Sequence, residues 1–119
     1  MLSAKILDFN PRYPDMKIPI HTEESLENYF INGWAPGGFL MAMLAMDMQR
    51  AIATADVVNR QAIWAIGHWI MHNAPEGSWG DYSQIDFWCS DVAGRRSRFA
   101  EEKHKEYVWD ILKSTESTT

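Results

Sequence analysis

The sequence predicts an all-α fold: a compact single-domain bundle of about four to five helices with an irregular N-terminal arm. Three observations carry this. In residues 39–55, Phe39, Leu40, Met43, Leu44, Met48, Ala51, Ile52 and Ala55 recur at spacings of one, three and four, which is one broad apolar helix face. Turn signals at Asn32-Gly33, Pro36-Gly37-Gly38, residues 73–80 and Gly94 divide the apolar segments. The 119 residues suffice for one domain with one modest core. The expected organisation is an arm over residues 1–20, a helical domain over 21–113 and a flexible tail over 114–119.

Taken in order, the arm is interrupted by Pro11, Pro14 and Pro19, yet Ile6, Leu7, Phe9, Tyr13, Met16, Ile18 and Ile20 are apolar enough to pack over the domain. Residues 17–20 also suit a short edge strand, although no partner strand is evident. A first helix is predicted over 23–31, with Thr22 as N-cap and Leu26, Tyr29 and Phe30 facing inward. Asn32 and Gly33 suit its C-terminal turn. The second helix, 39–55, follows a Pro-Gly-Gly entry and is rich in the helix formers Leu, Met and Ala. Asp56 or Asn59 caps a third, over 60–72, packing through Ala62, Ile63, Ile66, Gly67 and Ile70. After the 73–80 turn, Asp81 or Ser83 caps a short helix over 84–89 with Ile85, Trp88 and Cys89 inward and Phe87 at the edge. The last helix, 97–113, carries an incomplete stripe of Phe99, Val108, Ile111 and Leu112, and its Ser/Thr-rich tail is expected to fray.

Composition narrows the function classes. The formal charge of −5 argues against a general nucleic-acid binder, whose affinity comes largely from cationic contacts to phosphate. Cys89 is the only cysteine, so no intrachain disulfide forms, which fits a reducing cytoplasmic setting. No signal-peptide pattern opens the chain. Asp47 interrupts the longest apolar run well short of a membrane span.

Few residues carry recognisable chemistry. His68 and His72 stand four apart on one helical face, a spacing that lets two imidazoles approach one ion. Cys89, Asp91 or His104 would have to complete such a site, and the segment His-Trp-Ile-Met-His lacks the glutamate of the zinc-protease pattern. Neither a resident metal nor a cofactor is expected. The glycine turn lacks a phosphate-loop ending, and Ser78 lacks a nucleophile-elbow frame. The residues singled out for partner binding are Trp34, Met41, Met46 and Trp64, as off-stripe or excess apolar side chains, and the basic patch Arg95, Arg96 and Arg98. The patch also suits a solvated face paired with Asp91, Glu101 or Glu102.

The blocks G-W-A-P-G-G-F-L-M-A-M-L-A-M-D-M, A-D-V-V-N-R-Q-A, W-I-M-H-N-A-P and S-W-G resemble a group of small bacteriophage proteins of unassigned function. The resemblance covers residues 18–88 and includes Asp47, Asp56, Asn59, Ala74, Pro75, Trp79 and Gly80. Ala35 replaces the first proline of the group's usual Pro-Pro-Gly-Gly-Phe-Leu. The resemblance implies phage origin and a compact helical domain, and it supplies no active-site residues. By class-level analogy, it suggests a protein that binds and inhibits or redirects a host protein in the host cytoplasm, with defence systems such as CRISPR among the targets. The competing expectations are a metal-binding protein or small metal-dependent enzyme using His68 and His72, and a structural or assembly protein acting as a homo-oligomer.

Overall fold

A computed structural model describes residues 6–9 and 17–117, with backbone only for 114–117. Helices are the only regular elements among the described residues, with no strand, so residues 17–20 do not form the edge strand that their composition allowed. The order is α1 (Ile20–Glu27), a π-helical turn (Asn28–Asn32), α2 (Gly38–Leu44), α3 (Met48–Thr54), α4 (Val57–Gln61), α5 (Ile63–Asn73), α6 (Tyr82–Ser90) and α7 (Arg95–Ser117). The helical class agrees with the sequence. The described residues hold seven α-helices where four to five were expected, because two of the anticipated helices are each cut in two.

The first cut falls at residues 45–47. Met46 adopts φ 62°. Its N–H donates to the Met43 carbonyl, and the Asp47 N–H donates to the Ala42 carbonyl at 2.8 Å. This is the paired hydrogen bonding of a Schellman stop, with methionine in the left-handed position that glycine usually fills. The Gly80 N–H donates to the Leu44 carbonyl at 2.8 Å and so occupies one of the acceptors at the end of α2. Asp47 then starts α3 by accepting from the Arg50 N–H. The break redirects the face predicted for residues 39–55. Leu40, Met43, Leu44, Ala51 and Ala55 are buried, whereas Met48 and Ile52 face solvent. A left-handed methionine costs about 1 kcal/mol relative to glycine, so Met46→Gly is expected to stabilise the chain by about that amount. A rise in the urea midpoint checks this.

The second cut is at Ala62, whose φ of −105° and ψ of 5° leave helical geometry. Asp56 caps α4 through the Asn59 N–H at 2.7 Å. Asp81 caps α6 through the Gln84 N–H at 2.8 Å. Thr22 does not cap α1. The helix begins three residues earlier than predicted, behind Pro19, whose carbonyl accepts from the Thr22 and Glu23 N–H groups at 3.0 Å. Thr22 is buried instead, and its hydroxyl donates to Asn59 Oδ1.

The core is aromatic at its centre. Phe30 is fully buried. It meets Tyr29 at 5.1 Å, Trp69 at 5.6 Å, Trp88 at 6.4 Å and Phe99 at 6.4 Å between ring centroids. Leu26, Leu44, Ile66, Ile70 and Ile85 close around this cluster. The described part of the arm joins it. Phe9 stacks on Trp69 at 4.7 Å, and the Trp69 indole N–H donates to the Asp8 carbonyl at 2.9 Å. The Ile6 and Leu7 N–H groups donate to the Glu27 carboxylate at 3.2 and 3.1 Å. Tyr13 and Met16 lie outside the described residues.

The first turns of α7 pack on the π-helical turn and α6. Of its predicted apolar stripe, only Phe99 reaches the core; Val108, Ile111 and Leu112 are exposed, as is Trp109. The helix backbone continues to Ser117, and residues 118–119 lie outside the description. No helix among the described residues is long and apolar enough to cross a membrane.

Candidate functional site

The candidate site lies where α6 turns into α7. Asp91 ends α6 in the left-handed conformation at φ 56°, and its N–H donates to the Phe87 carbonyl. The chain reverses through residues 92–94. Asp91 then caps the new helix: Oδ1 accepts from the Arg96 and Ser97 N–H groups at 3.1 and 3.4 Å, and the Ser97 hydroxyl donates to Oδ2. These hydrogen bonds, led by the Ser97 hydroxyl and assisted by the Arg96 charge, hold the Asp91 carboxyl below its ordinary value.

Arg96 fixes the same corner from the other side. Its Nε donates to the Trp88 carbonyl at 3.1 Å, and Nη1 donates to the Ile31 carbonyl at 3.4 Å. Nη2 stands 3.9 Å from Asp91 Oδ2. The guanidinium therefore satisfies orphan carbonyls near the ends of α6 and the π-helical turn, where a cation is favoured. Backbone carbonyls thus hold Nε and Nη1 in place, while Nη2 faces the Asp91 carboxylate inside the fold.

Between this corner, α6 and the 73–80 turn lies a cavity of about 270 Å³. Gln84, Asp91, Arg95 and Arg96 form its polar lining, and Gly77, Phe87, Trp88 and Ala93 form the rest. Arg95 rests on Gly77, whose φ is +88°; a Cβ there would fall 2.5 Å from Arg95 Nη1. The Arg95 side chain makes no hydrogen bond or ion pair among the described residues. Phe87 is 63% exposed. It stands as a ridge between this cavity and a second depression of about 300 Å³, lined by Ser83, Asp86, Phe87 and Ser90.

The sequence-selected residues are thus divided. Arg95 and Arg96 line one cavity, with Arg95 available and Arg96 committed to the backbone. Arg98 is exposed on α7 outside the cavity lining. The predicted pairing of the basic patch holds for Arg96 with Asp91, whereas Glu101 pairs with Lys105 at 3.6 Å. Trp34 and Trp64 are 63% and 66% exposed, on other elements. Met46 is exposed at the α2–α3 break, while Met41 is partly buried and packed against the core. Gln84 and Phe87 were not among the residues selected from sequence. Their signal was weak: both lie on an amphipathic helix whose neighbours Ile85 and Trp88 are core residues.

On α5, Trp64, His68 and His72 form a row, with ring centroids 5.2 Å apart for the first pair and 4.2 Å for the second. The two histidines do meet. Cys89, Asp91 and His104 do not join them, and no group of three or more His, Cys, Asp or Glu among the described residues is arranged to hold a metal ion. Burial, reinforced by Asp86, pushes the Cys89 thiol up, which disfavours the thiolate a nucleophile or metal ligand needs. Tyr29 is held protonated chiefly by burial, and its hydroxyl donates to the Ser78 carbonyl at 2.6 Å.

A second surface network supports α6. The Tyr82 hydroxyl donates to Asp47 Oδ2 at 2.7 Å and accepts from Arg50 Nη1 at 3.2 Å. The Tyr82 hydrogen bond is the main reason that the Asp47 carboxyl is lowered. For Asp47 and Asp91 alike, the folded value lies below the unfolded one. Their stabilisation is complete above the unfolded carboxyl range and is lost as pH falls through the folded values. Replacing both by Asn should therefore reduce the loss of stability between about pH 5 and about pH 3. Urea midpoints measured at the two pH values test this.

Comparison of the chain with protein-family models, with curated proteins and with solved structures finds no match.

Proposed function

We propose that this chain is a phage-borne, non-enzymatic binding protein that inhibits or redirects a host protein in the host cytoplasm. Defence systems such as CRISPR are among the candidate targets. The observation that carries the binding role is the α6–α7 corner: an exposed aromatic ridge, Phe87, beside a cavity containing an uncommitted arginine, Arg95. Aromatic and arginine side chains are the usual anchors of protein interfaces because they combine large contact area with fixed geometry. Hydrogen bonds from Asp91 and Arg96 hold the backbone of the corner, so the ordering cost of docking is confined mainly to the Phe87 and Arg95 side chains. The phage setting rests on the sequence resemblance alone.

Capture from host extract with the intact chain tests the reading. A specific host protein should be retained by the unaltered chain and lost by Phe87→Ala and by Arg95→Glu, both with unchanged helical circular dichroism. Loss of an interface anchor weakens binding by about 2 kcal/mol or more. Retention of the same protein by both variants would exclude this corner, and capture of no specific host protein would count against the function itself.

A second reading, assembly as a homo-oligomer, is favoured by the exposed Val108, Ile111 and Leu112 on the distal part of α7. Light scattering that shows a concentration-independent monomer would remove it.

A further inference from the structure

We infer that the α6–α7 cavity is a receptor for a single carboxylate side chain of the partner protein, an aspartate or glutamate adjacent to a large apolar residue. The inference rests on the binding role proposed above and specifies its chemistry. Three charged side chains line the cavity, and two are already used. Asp91 accepts from the N-terminus of α7 and from Ser97. Arg96 donates to the Trp88 and Ile31 carbonyls. Of these three, only Arg95 has a donor fork without a hydrogen-bond partner among the described residues, and it lies against Gly77 at the cavity wall.

The charge balance selects the anion. Two guanidinium groups and one carboxylate leave a local excess of one positive charge. A carboxylate neutralises that excess and matches the planar fork of Arg95 with two parallel hydrogen bonds. A phosphate dianion would add a second negative charge beside Asp91, in a chain whose formal charge is already −5. The rest of the lining selects the neighbour. Phe87, Trp88 and Ala93 give an apolar wall, and the volume of about 270 Å³ is below the usual range for drug-sized ligands. That size suits a side chain. Gln84 shares the polar lining and can donate or accept.

Amide NMR titration of the full chain tests the assignment with blocked dipeptides. Acetyl-Glu-Leu-amide should shift Gly77, Gln84, Phe87 and Arg95 saturably. Acetyl-Gln-Leu-amide should bind about tenfold more weakly or not at all, as expected for loss of a charge-assisted hydrogen bond. Arg95→Gln should remove the preference for the Glu peptide, and Arg95→Lys, which keeps the charge without the fork, should restore part of it. Both variants should retain the thermal midpoint, because the Arg95 side chain makes no internal hydrogen bond to lose. Equal binding of the two peptides, or an unchanged preference in Arg95→Gln, would overturn the assignment. So would tighter binding of acetyl-Gln-Leu with a free C-terminal acid, or of inorganic phosphate. Capture of the host protein is a separate readout. Arg95-dependent capture without peptide preference would retain the binding function and reject the carboxylate, whereas peptide preference without capture would do the reverse.

Discussion

Phe30→Ala is expected to destabilise the chain by about 3–5 kcal/mol, the range for removing a large buried aromatic side chain. Phe30 is fully buried and touches four aromatic rings drawn from the π-helical turn, α5, α6 and α7. Its loss would open a cavity at the point where these elements meet, and rigid neighbouring rings cannot readily collapse into it. In a small domain this is a large fraction of the total stability. Chemical denaturation at equilibrium measures the effect. Phe30→Leu, which keeps most of the apolar volume, should recover a substantial part of it. A change below 1 kcal/mol for Phe30→Ala would mean that this cluster does not hold the helices together.

Gly33→Ala is expected to cost about 2–3 kcal/mol through two separate effects. Gly33 has φ +72°, a conformation that a Cβ opposes. The added Cβ would also stand 2.5 Å from Arg96 Nε and 2.7 Å from Cζ. The guanidinium cannot swing away freely, because it is bonded to the Trp88 and Ile31 carbonyls. The substitution therefore strains the backbone and dislodges the clamp at the α6–α7 corner. A double-mutant cycle with Arg96→Ala separates the two. With Arg96 already truncated, the remaining cost of Gly33→Ala should fall to the backbone part, about 1–2 kcal/mol. Full additivity would show that Arg96 does not press on this turn. Because Arg95 precedes Arg96 on the same turn, Gly33→Ala should also reduce binding at the cavity, even though residue 33 does not line it.

The all-helical class and most helix starts were legible because their causes are local. Asp56 and Asp81 sit where a cap is needed and accept from the third residue beyond. Leu26, Tyr29 and Phe30 lie on one face, and all three are fully buried. Asn32-Gly33 announced a helix end, and Gly33 takes the left-handed geometry. The breaks at Met46 and Ala62 were not legible. Methionine and alanine are good helix formers, so neither carries a local stop signal. At Met46 the stop is accompanied by a hydrogen bond from Gly80 to Leu44, across a sequence separation that periodicity does not see.

The candidate site was legible in part for the same reason. The basic patch was visible as composition, but Arg95 and Arg96 are chemically identical in sequence. Only the surrounding carbonyls of Ile31 and Trp88 make Arg96 a structural clamp and leave Arg95 free. Likewise, Phe87 and Trp88 are adjacent aromatics on one helix, and packing alone decides that Trp88 is buried while Phe87 stands out as the ridge. By itself, the sequence determined helix-forming segments, caps and the apolar mass available for a core, because these depend on neighbours within a turn or two. The tertiary structure decided where helices break, which arginine is uncommitted and which aromatic faces solvent. Those outcomes depend on partners brought together from distant parts of the chain.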